Sequence, residues 1–168
     1  KRIHDEFISR VSKRAKSIVI GDPLNDKTQV GPLATTLQVD RAYNVITSSI
    51  KQGAKLVFGG NKPAKLAEGN YFEPTLLDCP DQSIDCVRTE LFAPVMSVIP
   101  FDTEQEAIHM ANDSEFGLGA GVFTQNLARA HRVSQKIRSG IVWINTYRAI
   151  SPIAPFGGFK NSGGSREA

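Results

Sequence analysis

The strongest constraint on this chain is an alternation of short apolar runs of strand length with stretches whose apolar residues recur every three or four positions. Ile141-Val142-Trp143-Ile144-Asn145 is the clearest strand, and Lys55 to Phe58, Tyr71 to Leu77, Val95 to Ile99 and Gly119 to Phe123 also read as extended, the last as a buried strand. Pro74 cannot donate to a ladder, which predicts an irregular or edge position for its strand. A first helix is predicted from about Asp5 to Ser17, with Phe7, Ile8, Val11, Ala15 and Ile18 on one stripe and Gly21-Asp22-Pro23 as its stop. A second begins at Thr35 or Thr36, where Thr35 and Gln38 have capping-box spacing; Val39, Tyr43, Ile46 and Ile50 give its apolar face, and Gly53 ends it. Thr103 and Glu106 repeat that spacing before Ala107, Ile108 and Ala111. Leu127, Ala130, Val133 and Ile137 mark a further helix, closed by Gly140, and Gly59 to Asn70 is a surface loop. This pattern predicts a three-layer α/β/α fold with a largely parallel sheet. Ligands of such sheets lie beyond the carboxyl ends of strands, which directs attention to Asn145 and the loop after it.

Composition narrows the function. The 20 basic residues are scattered among 17 acidic ones for a net charge of +3. The local clusters Lys1-Arg2 and Lys13-Arg14-Lys16 read as a solvated helix face, so no nucleic-acid partner is expected. No apolar run has the length of a membrane span or a signal-peptide core. Cys79 and Cys86 supply neither a disulfide framework nor a metal quartet, and His4, His109 and His131 do not pair at ligand spacing. A cytoplasmic protein without a metal is the expectation. There is no Gly-rich dinucleotide fingerprint or phosphate loop. The chain lacks an initiating Met and stops on Arg166-Glu167-Ala168 directly after a glycine cluster, which reads as a piece of a longer protein.

Two aromatic-proline segments carry the chemistry: Glu90-Leu91-Phe92-Ala93-Pro94-Val95 and Pro155-Phe156-Gly157-Gly158-Phe159-Lys160. A carboxylate beside an apolar run must keep hydrogen-bond partners while its neighbours pack. Glu90 is therefore open to two readings, a ligand contact that accepts ribose hydroxyls or a structural packing site. Cys86, with Ile84 and Val87 around it, reads as a buried and inert thiol, and Arg166-Glu167 is compatible with a surface ion pair.

These segments, with Ile3-His4-Asp5-Glu6-Phe7, Gly21-Asp22-Pro23, Val30-Gly31-Pro32, Asn112 to Gly117 and Trp143-Ile144-Asn145, resemble the NAD(P)-dependent aldehyde dehydrogenase superfamily. The resemblance covers essentially the whole chain and corresponds to about the C-terminal two-thirds of that family's catalytic, thiol-bearing domain, without its N-terminal segment and without the cofactor-binding domain. It implies oxidation of a small aldehyde to a carboxylate with NAD or NADP, through a cysteine thiohemiacetal and a thioester. The family's nucleophilic cysteine and general-base glutamate lie upstream of a segment matching Lys1-Arg2-Ile3, so the chain by itself is expected to be inactive. Cys86 matches an apolar packing position. By the same resemblance Glu90 and Phe92 bind the cofactor, on ribose and nicotinamide respectively. Tyr147, Ile150 and Phe156 line the aldehyde passage, and Glu167 is a second acid/base group. Arg148 near the passage mouth is open to two readings, a group that favours an anionic or polar aldehyde or a solvent-facing arginine. The parent is expected to be a homodimer or homotetramer. The alternative is a catalytically silent or oligomerisation relative. Two positions depart from the family pattern: Ala93, usually glycine, and Ser165, where glycine more often precedes the arginine.

Overall fold

The computed structural model describes residues 1–167. They form two compact units, one over Lys1–Pro100 and one beginning at Phe101. Each unit combines helices with paired strands, so the α/β class is as expected.

The first unit opens with α1 (His4–Lys16). Asp5 and Glu6 in its first turn and Lys13, Arg14 and Lys16 in its last complement the helix dipole. The helix ends short of Gly21, because the Ser17 backbone N–H and hydroxyl close on the last carbonyls, the hydroxyl donating to Arg14 O at 2.8 Å. Next, α2 (Thr36–Lys51) is capped by Thr35, whose hydroxyl oxygen accepts from Gln38 N at 3.3 Å. Gln38 does not complete the box on Thr35: its side-chain oxygen accepts from Ala34 N at 3.0 Å, one residue earlier. The inward face of α2 is Val39, Ala42, Ile46 and Ser49, while Tyr43 and Ile50 are exposed. The expected stripe was thus right at two positions and rotated off the core at the other two.

Three strands follow: β1 (Lys55–Phe58), β2 (Thr75–Asp78) and β3 (Val95–Val98), with the four-residue helix α3 (Asp85–Arg88) between the last two. The sheet order is β1-β2-β3, antiparallel across the first pair and parallel across the second. β2 is the central strand, which corrects the edge alternative drawn from Pro74, while the irregular alternative has a counterpart in the register shift between Leu56 and Phe58 in its pairing with β1. That proline sits one residue before β2, where its missing N–H interrupts nothing, and the ladder opens with Thr75 N donating to Pro94 O at 2.8 Å. The core gathers Val39, Ala42 and Ile46 from α2 with Phe72, Leu77, Cys79, Ile84 and Cys86. Phe72 and Leu77, essentially fully buried, each contribute about 1.5–3 kcal/mol of hydrophobic stabilisation.

In the second unit, α4 (Glu104–Asn112) starts with the full capping box expected of Thr103 and Glu106. Strands β4 (Phe116–Gly117) and β5 (Gly119–Val122), helix α5 (Leu127–Ser134), strand β6 (Ile141–Ile144) and strand β7 (Phe159–Lys160) complete it. β5 pairs with β6 in parallel and β4 with β7 antiparallel. Pairing among the described residues is therefore mixed. The expectation of a buried strand at Gly119 to Phe123 fails, since β5 alternates exposed and half-buried positions and Phe123 is exposed. Gly140 does not close α5 either; the helix ends at Ser134. A Cβ on Gly140 would lie 1.6 Å from Gly157 O, so glycine is there to let the 155–158 loop approach.

Candidate functional site

Leu91 anchors the Glu90-Leu91-Phe92 segment by being buried, and this forces its neighbours outward. Phe92 has φ +49°, a left-handed backbone in which a side chain costs about 1–2 kcal/mol, and its ring is 72% exposed. Among the described residues Phe92 thus presents a large apolar ring on strained backbone outside the core cluster. Glu90 is exposed and its carboxylate forms no hydrogen bond or ion pair with the described residues. Both carboxylate oxygens are consequently available to hydroxyl donors as far as the described residues go. Ala93 takes its place without positive φ and packs against the core.

Neither cysteine is placed for nucleophilic work. Cys79 and Cys86 are free thiols, buried in the core with their sulfurs 3.5 Å apart. Ser97 Oγ donates to Cys86 Sγ at 3.3 Å, and Ser49 Oγ receives Cys86 N at 3.0 Å. The neighbouring Cys86 sulfur and then burial push the Cys79 thiol up; Cys86 is drawn down because the Cys79 thiol, followed by Ser49 and Ser97, favours its ionised form. His4 is no surface histidine: Nε2 lies 2.9 Å from Asp78 Oδ1 and Nδ1 3.0 Å from Asp5 Oδ1, which raises its pKa, Asp5 contributing most. It ties the start of α1 to the end of β2. Among the described residues no group of three or more ligating side chains could hold a metal. No helix there is long and apolar enough to cross a membrane.

In the second unit the chain leaves β6 through Asn145 at φ +55° and reaches Arg148 at φ +61°. Asn145 Oδ1 accepts from Thr124 N at 2.8 Å and its Nδ2 donates to Thr124 O at 3.0 Å. Tyr147 is exposed and meets Trp143 edge-on, ring centroids 5.1 Å apart. Ile150 is exposed on the same turn. Phe156 and Glu167 are brought together by a two-residue bridge: Phe156 N donates to Glu167 O at 2.6 Å and Glu167 N to Phe156 O at 2.9 Å. The Glu167 side chain is exposed and makes no ion pair with Arg166. Arg166 instead donates to the carbonyls of Gly158 (2.7 Å), Ser165 (2.9 Å) and Gly164 (3.3 Å), and its guanidinium lies 4.8 Å from the Phe159 ring centroid. The surface ion pair expected of Arg166-Glu167 is thereby replaced by a backbone clasp, and the carboxylate is left free. Ser165 does not adopt positive φ, so its departure from glycine carries no backbone strain. In the sequence Trp143 reads only as part of a strand, and Asn145 as its end and the start of a loop where ligands lie. Nothing in their spacing announced the two contacts they make.

The sequence matches the Aldehyde dehydrogenase family over residues 1–168. The chain belongs to the aldehyde dehydrogenase family. It is 50% identical over 166 residues to (Z)-2-((N-methylformamido)methylene)-5-hydroxybutyrolactone dehydrogenase of Acinetobacter baylyi, covering 98% of this chain and 34% of that protein. To betaine aldehyde dehydrogenase 1 of Rhizobium meliloti it is 44% identical over 168 residues, covering 99% and 34%. The crystal structure of PnpE in complex with nicotinamide adenine dinucleotide superposes with a TM-score of 0.94 at 43% identity, over 99% of this chain and 34% of that one. HpcC from Thermus thermophilus gives a TM-score of 0.94 at 36% identity, over 99% and 33%. The chain thus spans about a third of the length of the relatives it matches.

Proposed function

We propose that this chain is the cofactor- and substrate-lining part of an enzyme that oxidises an aldehyde to a carboxylic acid with NAD or NADP, and that it belongs to the thiol-bearing domain of that enzyme. The observation that carries this reading is the Glu90 and Phe92 pair in a member of this family: an unpartnered carboxylate next but one to an exposed aromatic ring in strained backbone. That acceptor and ring fit a dinucleotide, whose ribose offers two hydroxyls to a carboxylate and whose nicotinamide is a flat ring that a phenyl group can cover. When bound, the dinucleotide accepts the aldehyde hydride.

The residues of this chain bind and orient. Glu90 accepts the ribose hydroxyls and Phe92 packs on the nicotinamide. Tyr147, Ile150 and Phe156 exclude water from the aldehyde and restrict its orientation. Glu167, whose carboxylate is not consumed by Arg166, accepts or passes on the proton of the hydrolytic water. The nucleophilic cysteine and the general base belong to the remaining part of the full-length protein; the thiols in this chain are buried. Two relatives, betaine aldehyde dehydrogenase and 4-trimethylaminobutyraldehyde dehydrogenase, by name act on cationic aldehydes. Arg148 sets a guanidinium on the turn of Tyr147 and Ile150, which disfavours a cation and favours a polar or anionic aldehyde.

The test uses the full-length protein carrying this chain. With an aldehyde and NAD or NADP it forms reduced cofactor, and Glu90→Gln raises the dinucleotide Kd by about tenfold or more, the loss expected for a charge-assisted hydrogen bond. No aldehyde-dependent reduction by the natural protein would sink the activity, and unaltered dinucleotide affinity in the variant would sink the role of Glu90.

A further inference from the structure

We propose that Trp143 is a positioning residue for aldehyde selectivity, acting through the backbone of the turn that follows β6. The inference rests on the reading of Tyr147 and Ile150 as substrate contacts. Trp143 is the single tryptophan of the chain and lies in β6, in register with Gly121 of β5. Its indole Nε1–H donates to Ala149 O at 2.8 Å, six residues on. The residues between them leave β6 through two left-handed positions, Asn145 and Arg148, neither of them glycine. Asparagine tolerates this region, but arginine has no preference for it, so the turn needs external contacts to keep its shape.

Two contacts do so. At its start, Asn145 grips both backbone groups of Thr124. At its end, the indole holds Ala149, the residue before Ile150, while its edge meets Tyr147 at 5.1 Å between centroids. The indole can occupy this place because its neighbour on β5 is glycine: a Cβ on Gly119 would stand 2.9 Å from Trp143 Cζ3. One side chain therefore sets the position of both Tyr147 and Ile150 without facing the substrate. An aldehyde large enough to touch both residues depends on this hold, and a two-carbon aldehyde does not.

Trp143→Phe in the full-length protein keeps an aromatic ring and removes the donor. Trypsin cleavage of the Arg148–Ala149 bond in the folded protein, followed by mass, reads how often the turn opens. We expect it to accelerate about five- to tenfold, the effect of losing one neutral hydrogen bond. In aldehyde oxidation, KM for 4-carboxybenzaldehyde rises by a similar factor while that for two-carbon glyoxylate changes less than about twofold, one hydrogen bond being all that is lost. Cleavage at the natural rate overturns the hold, and an equal fall in kcat/KM for both aldehydes overturns the selectivity role. If the natural protein oxidises neither aldehyde, the underlying functional reading fails, and the cleavage rate alone still decides whether Trp143 holds the turn. Should the phenylalanine variant not fold, a benzothiophene analogue at position 143, which keeps the bicyclic outline and lacks the N–H, gives the same two readouts.

Discussion

Gly140→Ala isolates the requirement that the 155–158 loop closes directly on the backbone before β6. Gly140 does not have positive φ, so alanine has no conformational penalty there, and only the added methyl group matters. That methyl carbon would stand 1.6 Å from Gly157 O, 2.7 Å from Gly157 C and 3.0 Å from Gly158 Cα. To reach ordinary contact near 3.4 Å, the loop must retreat by about 1.8 Å. Backbone is in the way, so no rotamer change relieves the clash. Phe156 sits next to Gly157, and its bonds to Glu167 at 2.6 and 2.9 Å must stretch or break as the loop moves. Overpacking of this kind costs about 1–3 kcal/mol, which corresponds to roughly five- to 150-fold faster amide exchange at Phe156 and Glu167 through local opening. Hydrogen exchange with mass detection on the full-length protein measures this directly. Because a shift of about 1 Å at a substrate contact is enough for a hundredfold loss, kcat/KM for aldehydes should fall by about that factor. Unchanged exchange in the 155–167 segment would refute the close-approach argument whatever the activity. Accelerated exchange with full activity would remove Phe156 and Glu167 from the reaction.

Further outcomes follow from individual contacts. Phe92→Gly relieves the left-handed strain, so it should raise stability by about 1 kcal/mol while weakening dinucleotide binding; a destabilised variant in urea melts would contradict the strain at φ +49°. Glu104 receives Arg132 at 2.6 Å and Arg129 at 3.1 Å, and Arg132 above all holds its pKa down to about 2. Since the folded pKa is depressed, this contribution is complete above the unfolded carboxylate range near pH 4.5 and is lost as pH falls toward 2. Natural protein and Glu104→Gln should accordingly differ in melting temperature at about pH 7 and converge toward about pH 2, and a gap independent of pH would count against the ion pair. Iodoacetamide should label Cys79 and Cys86 only on unfolding, both being buried; rapid labelling of Cys86 in the folded protein would reopen its role as a nucleophile. The isolated 168-residue chain should show no aldehyde-dependent reduction of NAD or NADP by absorbance, and turnover would place the nucleophile within it.

Local chemistry was readable wherever it is decided within a few residues. Thr103 and Glu106 form their box because both partners lie in one turn, and Lys55–Phe58 is a strand as its pattern predicts. Pro74 misled because a rule about ladder positions was applied to a residue one place outside the ladder. Gly140 misled because its reason lies 17 residues downstream, in the carbonyl of Gly157. Tyr43 and Ile50 satisfied the helical period, yet which arc of α2 faces inward is set by Phe72, Leu77 and Cys86, and these come from later segments. The reciprocal cap of Gln38 slipped to Ala34 for a similar reason: spacing names the donor and acceptor types, and the entering chain decides which N–H is in reach.

The candidate site follows the opposite logic from the core. Core positions were found by apolar periodicity, because burial rewards it. Phe92, Tyr147 and Ile150 are apolar but exposed, while Asn145 and Arg148 near them share with Phe92 a left-handed backbone that glycine would adopt more cheaply. A sequence selected only for stability would place polar residues where Phe92, Tyr147 and Ile150 are exposed and glycine where Phe92 and Arg148 are left-handed, since exposed apolar groups gain nothing from burial and a non-glycine residue loses about 1 kcal/mol or more from strain. The cost is tolerated where contacts such as Trp143 to Ala149 and Arg166 to Gly158 over-determine the backbone. These clasps are side-chain hydrogen bonds to carbonyls six and eight residues away, which any residue supplies, and so the acceptor leaves no signature in residue type. A carboxylate beside an apolar run points to Glu90 and the end of a strand points to the turn after β6, but the roles of both, and of Phe92, are implied only by family resemblance, and the side chains that hold the turn are visible only in three dimensions.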